Sequence, residues 1–206
     1  MRRTTGLLLP LWLTAMACGE NALDPLTGGE GGGDTGFSVL VTDDPANDPG
    51  PAGPQGAAPQ AIEGELVGSI RVSLRNDAGA LVDVGTTDDV VVDLQQGGDS
   101  LRLSDLNRPA ADSYVGIQLR FEGVAVTVFE GSEVGDSTLT ENVTLAVGSG
   151  GLATVEVATQ TFTIDSQSDV DIVVDLNSEL WITTTNIEDA AVPQADLANN
   201  VTVEIP

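Results

Sequence analysis

The stretch Val115-Gly116-Ile117-Gln118-Leu119-Arg120-Phe121 places its large apolar side chains on every second residue. A period of two puts them on one face of an extended chain, so the stretch predicts a strand with one buried and one wet face. The same rhythm recurs on both sides of it. Ile70, Val72 and Leu74 alternate with Arg71, Ser73 and Arg75. Val143, Leu145 and Val147 repeat it, and so do Val170, Ile172 and Val174 against Asp171 and Asp175. Val201, Val203 and Ile205 close the series against Asn200, Thr202 and Glu204. The Thr-rich stretches 159–163 and 183–185 suit solvent-facing strand positions. No window carries a sustained helical period with caps, and 187–190 is at most a turn or one short helical piece.

Turn chemistry separates these runs. Asn76-Asp77-Ala78-Gly79, Gln95-Gln96-Gly97-Gly98-Asp99 and Gly148-Ser149-Gly150-Gly151 combine residues that tolerate positive φ with side chains that bond their own backbone. Many short strands with wet outer faces predict an all-β domain over 37–206, an antiparallel β-sandwich of immunoglobulin-like or prealbumin-like form. The segment 43–60, with Pro45, Pro49, Pro51, Pro54 and Pro59, cannot sit in a central strand and is expected to be a long surface loop.

The N-terminus reads differently. Arg2 and Arg3 precede Gly6-Leu7-Leu8-Leu9-Pro10-Leu11-Trp12-Leu13, and then small residues lead to Cys18, the one cysteine in the chain. Positive charge, a short apolar run and small side chains make a secretory signal over 1–17. The run is shorter than the roughly 20 residues that a membrane span needs. The segment Thr14-Ala15-Met16-Ala17-Cys18 resembles the lipobox of bacterial prolipoproteins, with Ala15 where that pattern usually has Leu. The resemblance implies that the Cys18 thiol takes a diacylglycerol. Residues 18–36 then form a Gly-rich tether, Gly28-Gly29-Glu30-Gly31-Gly32-Gly33 at its centre, able to hold a domain roughly 20–25 Å from the lipid. Gly19 is not the Asp that commonly retains lipoproteins at the inner membrane of enteric bacteria. The expected location is the cell envelope, at the outer membrane or cell surface.

Composition narrows the chemistry. Without residues 1–17 the chain has five Arg against 32 acids, a formal charge of −27, and it contains neither Lys nor His. Such a chain does not attract nucleic acid, whose recognition depends on cations at phosphates. Triads that need a His base, Lys Schiff bases and the usual zinc ligands all lack their residues. Paired-carboxylate hydrolysis and oxygen-ligand calcium binding stay open. The expected role is therefore non-catalytic, structural or adhesive, with a glycan- or calcium-binding module as the alternative and a carboxylate-based hydrolase as the second.

Two groups bear on calcium. Asp43, Asp44 and Asp48 could gather oxygens round an ion, against the simpler reading that Asp43 ends a strand by accepting N–H bonds. Asp165, Gln167, Asp169 and Asp171 have alternate spacing but lack the glycine and distal Glu of a calcium loop, and read as a polar hairpin tip. No other cofactor is expected. Tyr114 and Trp181 are read as core anchors rather than a sugar platform, and Arg71 and Arg75 as partners of nearby acids.

Gly36-Phe37-Ser38-Val39-Leu40-Val41-Thr42-Asp43-Asp44-Pro45 looks like the opening of a family of uncharacterised bacterial lipoprotein domains, which start with a glycine, an apolar strand and a T-D-A-P-type turn. Val91-Val92-Asp93-Leu94, Pro109-Ala110 and Tyr114 to Arg120 are similar to a second block of that family. Asp44, Asp112 and the proline-rich loop depart from its pattern. The resemblance implies an exported β-sandwich on a lipid anchor and assigns no activity and no functional residues.

Overall fold

The alternation around Ile117 belongs to the longest strand among the described residues. The computed structural model describes residues 36–43, 62–95 and 100–206. In chain order the elements are β1 (Phe37–Thr42), β2 (Gly64–Asn76), β3 (Leu81–Leu94), β4 (Leu101–Arg102), β5 (Asp112–Val128), β6 (Glu133–Val134) and β7 (Ser137–Thr138). They continue with β8 (Val143–Val147), β9 (Ala153–Ile164), β10 (Val170–Asp175), α1 (Ser178–Trp181), α2 (Thr184–Asp189), β11 (Ala191–Val192), α3 (Gln194–Asn200) and β12 (Thr202–Glu204). The described chain is mostly strand, in antiparallel-rich sheets, which makes the fold all-β.

The larger sheet runs β11-β8-β5-β2-β3, with β9 also on β5, and the second runs β12-β10-β1-β4. The β2–β3 hairpin turns at the expected place. The Asn76 side-chain oxygen accepts the Ala80 N–H at 2.8 Å and the Asn76 carbonyl accepts that of Gly79. Among the described strands two pairs are parallel, β1 with β10 and β11 with β8. The first brings the beginning of the domain beside its late strands, Phe37 opposite Val170 and Thr42 opposite Asp175. Both sheets feed one continuous core, with Val39, Val41, Ile172 and Val174 from one and Leu66, Ile70, Leu119 and Phe121 from the other. Each such side chain, taken wholly out of water, contributes roughly 1.5–3 kcal/mol.

Strand β5 keeps the predicted phase only in its middle. Ile117, Leu119 and Phe121 are buried, but the buried set before them begins at Tyr114 and the set after them is Val124, Val126 and Val128. Each change of phase coincides with an irregularity. The pairing of β5 with both β2 and β9 slips between Tyr114 and Gly116, and Gly123 takes φ 63°. An inserted residue turns every later side chain to the other face. Tyr114 is thereby buried where strict alternation points Val115.

The Gly148–Leu152 segment is not a reversing turn. Strands β8 and β9 both run antiparallel to β5, Ala146 opposite Ala125 and Ala153 opposite Phe121. They are two halves of one interrupted strand. The five intervening residues loop out and return, with the Val124 N–H bonding the Gly151 carbonyl at 2.9 Å.

The Thr-rich stretch 183–185 is not a strand. Thr183 caps α2, its hydroxyl accepting the Asn186 N–H at 3.3 Å, and Thr184 and Thr185 form the first turn. The reason is tertiary: Asn186 also donates to the Trp181 carbonyl at 2.7 Å, and Trp181, fully buried, donates its indole N–H to Leu176 O at 2.7 Å. Fixing this indole decides the local backbone, so strand propensity loses. Residues 187–190 do include a helical piece, the end of α2, and the seven-residue α3 follows it. None of the described helices is long and apolar enough to cross a membrane.

Candidate functional site

Cys18, Asp44 and Asp48 lie outside the described residues, as does most of the 43–60 segment. Asp43 is described and is buried. One of its carboxylate oxygens accepts the Ser178 N–H at 2.7 Å and the other accepts the Ser178 hydroxyl. Burial pushes its carboxyl above the ordinary Asp range, and the two bonds from Ser178 pull the other way. It ends β1 as an acceptor of N–H, as the simpler reading had it, but the donor comes from α1 rather than from the local turn.

The second calcium group is dispersed. Asp165 Oδ1 accepts the Gln167 and Ser168 N–H groups at 2.8 and 2.7 Å, which holds its carboxyl below the usual range. Asp171 accepts the Ser38 hydroxyl across the β1–β10 pair at 2.5 Å. The loop is not a hairpin tip either: it carries the chain from β9 in one sheet to β10 in the other. Arg108 clasps it, donating to the Asp165 and Ser168 carbonyls. No group of three or more His, Cys, Asp or Glu suited to a metal ion occurs among the described residues.

Arg71, Arg75 and Arg120 sit where the alternation put them, on the wet face of the larger sheet. Arg71 makes a two-pronged bond to Asp83, 2.9 Å on each arm, and Arg75 reaches Glu156 at 2.5 Å. These bonds hold Asp83 and Glu156 below the ordinary carboxyl range. Arg71 and Arg120 stand directly opposite one another on β2 and β5, and Arg120 is paired with Glu122 at 2.9 Å. A depression of about 260 Å³ there is lined by Arg71, Ser73, Leu81, Asp83, Gln118 and Arg120. Arg71, Arg75 and Arg120 are thus each paired with a carboxylate.

Tyr114 and Trp181 are both fully buried. The Tyr114 hydroxyl donates to Ala110 O at 2.7 Å, and burial raises its pKa. Phe162 rests against it, ring centroids 5.7 Å apart at 32°. Phe162 itself is only partly covered, and it lines a larger groove, of about 410 Å³, between the edge strands β9 and β12. Gln160 and Thr161 form one wall; Val203, Glu204, Ile205 and Pro206 form the other.

A bulge shapes this groove. Tyr114 pairs with Phe162 and Gly116 with Ala158, so the single residue Val115 faces Thr159, Gln160 and Thr161. A bulge in an edge strand breaks its ladder and redirects side chains. Within it the Thr159 hydroxyl is buried and meets no hydrogen-bond partner among the described residues. Sequence reasoning passed over Phe162 for the larger aromatics. Its signal was a lone bulky apolar residue within a Thr-rich strand.

Comparisons of the chain with protein-family models, with curated proteins and with solved structures gave no match.

Proposed function

We propose that this chain is a bacterial lipoprotein: exported, cut before Cys18, and held at the cell envelope by a diacylglycerol on that thiol. It presents a non-catalytic, structural or adhesive domain at the end of a glycine tether. The observation that carries the reading is the position of the lone cysteine, directly after a charged, apolar and small-residue leader and directly before a Gly-rich segment with few core-forming side chains, Leu23 and Leu26 among them. Two acyl chains on one residue give the stable anchoring that a single chain does not.

We read the domain as an antiparallel β-sandwich. Two sheets sharing one core support this. So does the Tyr114 hydroxyl bonded to a backbone carbonyl four residues upstream, the arrangement of the tyrosine corner in immunoglobulin-like sandwiches. The non-catalytic reading rests on a sequence with neither His nor Lys, and several of its carboxylates support it. Asp43, Asp83, Glu156, Asp165 and Asp171 are each held by a partner that serves the fold.

Labelling cells with a radioactive fatty acid tests the anchor. The wild-type chain is expected to carry label and to fractionate with membranes, and the Cys18→Ser chain to do neither. Equal label in both would mean secretion without a lipid.

A further inference from the structure

We infer that the groove between β9 and β12 is a binding site for a neutral glycan, a sugar ring seated at Phe162 with its hydroxyls held by Gln160, Thr161 and Glu204. The inference names a ligand for the adhesive domain, and it does not depend on whether Cys18 is lipidated.

Four features of the groove converge on this ligand. Its volume, about 410 Å³, falls in the range of small-molecule sites, roughly 300–1,000 Å³. Phe162, partly covered and in tilted contact with Tyr114, supplies an apolar aromatic surface to the groove, and the flat apolar face of a pyranose fits such a ring. The groove's lining also includes an amide that both donates and accepts, Gln160, a hydroxyl that does the same, Thr161, and at its rim the exposed carboxylate of Glu204, able to accept from two sugar hydroxyls at once. No residue lining the groove is basic, and Glu204 repels anions, so uronic and sulfated sugars are disfavoured where neutral ones are not.

The same wall argues against an extended peptide. Strand addition needs a regular row of free N–H and C=O groups, and the Thr159–Thr161 bulge interrupts that row where the groove lies. A rigid polyhydroxylated ring needs no ladder. It needs an aromatic surface and a few polar groups spaced around it, and the groove has both.

The test is affinity electrophoresis of the full chain, purified in mild detergent, through gels containing glucan, xylan, mannan or galactan, with polygalacturonate and alginate as acidic controls. At least one neutral polymer is expected to retard the protein, and neither acidic one. Glu204→Gln and Gln160→Ala change exposed positions and are expected to weaken retardation roughly tenfold or more, the scale of lost hydrogen bonds to a charged or amide partner. Phe162→Ala is expected to abolish it, and a thermal melt of that variant separates lost binding from lost folding. Arg71→Ala, on the other surface, is expected to bind as wild type. The inference is overturned if no neutral polymer retards the chain, if only acidic ones do, or if Glu204→Gln and Gln160→Ala bind normally. It is equally overturned if the groove selects peptides from a phage library, with loss in the same variants, while no polysaccharide binds.

Discussion

The carboxylate of Asp43 holds both the backbone N–H and the hydroxyl of Ser178, which lies 135 residues further along the chain. One side chain thus ties the end of β1 to the start of α1 and, through Trp181 in that helix, to the core. Asp43→Ala leaves a buried N–H and hydroxyl without their acceptor. A loss of about 2–3 kcal/mol is expected in urea unfolding, the size of hydrogen bonds to a charged group.

Asp43→Asn separates charge from hydrogen bonding, since an amide oxygen still accepts the N–H. Burial raises the Asp43 carboxyl above its unfolded value. A raised carboxyl favours the fold while protonated, and that advantage fades as pH rises from the unfolded pKa through the folded one. Asn has no charge to desolvate and no such dependence. The melting temperature of Asp43→Asn relative to wild type is therefore expected to increase from pH 4 to pH 7. A difference that stays constant or shrinks across that window would rule out burial as the dominant influence on this group.

Glu156 and Asp83 run in the opposite sense. Their carboxyls are lowered by Arg75 and Arg71, so their contribution is present at neutral pH and is lost as pH falls through the folded pKa. In Arg75→Ala the NMR titration midpoint of Glu156 is expected to rise toward the ordinary Glu value while that of Asp83 stays put. Arg71→Ala is expected to do the reverse. Movement of both carboxyls in either variant would show one coupled network in place of two separate pairs.

The Tyr114 hydroxyl is the only polar part of a buried ring, and it closes the segment from Ala110 onto the start of β5. Tyr114→Phe keeps the ring and its contact with Phe162 while orphaning the Ala110 carbonyl. A loss of about 1–2 kcal/mol is expected by thermal melting; the near-ultraviolet spectrum loses the band of the single tyrosine while that of the buried Trp181 is retained.

What was legible in the sequence follows from what is local. Alternation located β2, β5, β8, β10 and β12, because a half-buried strand writes its burial into every second residue. Tyr114 and Trp181 were readable as core from size and scarcity, and the Arg71 and Arg75 pairs from their shared face. Three things were not readable. The phase changes at Val115 and Gly123 depend on how β5 meets two neighbours at once. The helix at Thr184 depends on the buried Trp181 and on Asn186, which answers to its carbonyl. The groove depends on two edge strands about 40 residues apart meeting across a bulge whose length only pairing reveals. Residues 165–171 show the same limit. Their acids pointed to a turn, but which sheet lies on either side of that turn is a property of the whole chain.

The loop that divides β8 from β9 gives the sharpest contrast between glycines. Gly148 and Gly150 both adopt left-handed backbone, φ 61° and 66°. A Cβ at Gly150 would project into open space, so Gly150→Ala carries only the backbone penalty, about 1–2 kcal/mol. A Cβ at Gly148 would stand 2.1 Å from the Leu152 carbonyl oxygen and 3.2 Å from Ala153 Cβ. That carbonyl is fixed by its bond from the Ser149 N–H at 3.1 Å, and the Gly148 N–H is tied to Val192 O at 2.8 Å. Gly148→Ala must therefore open the loop neck as well as bear the strain. Its loss of stability in urea is expected to exceed that of Gly150→Ala clearly, together with faster amide exchange at Val124, whose N–H bonds the loop at Gly151. Equal losses in the two variants would mean that the neck is free to rearrange, and that β8 and β9 are less rigidly one strand than their shared partner suggests.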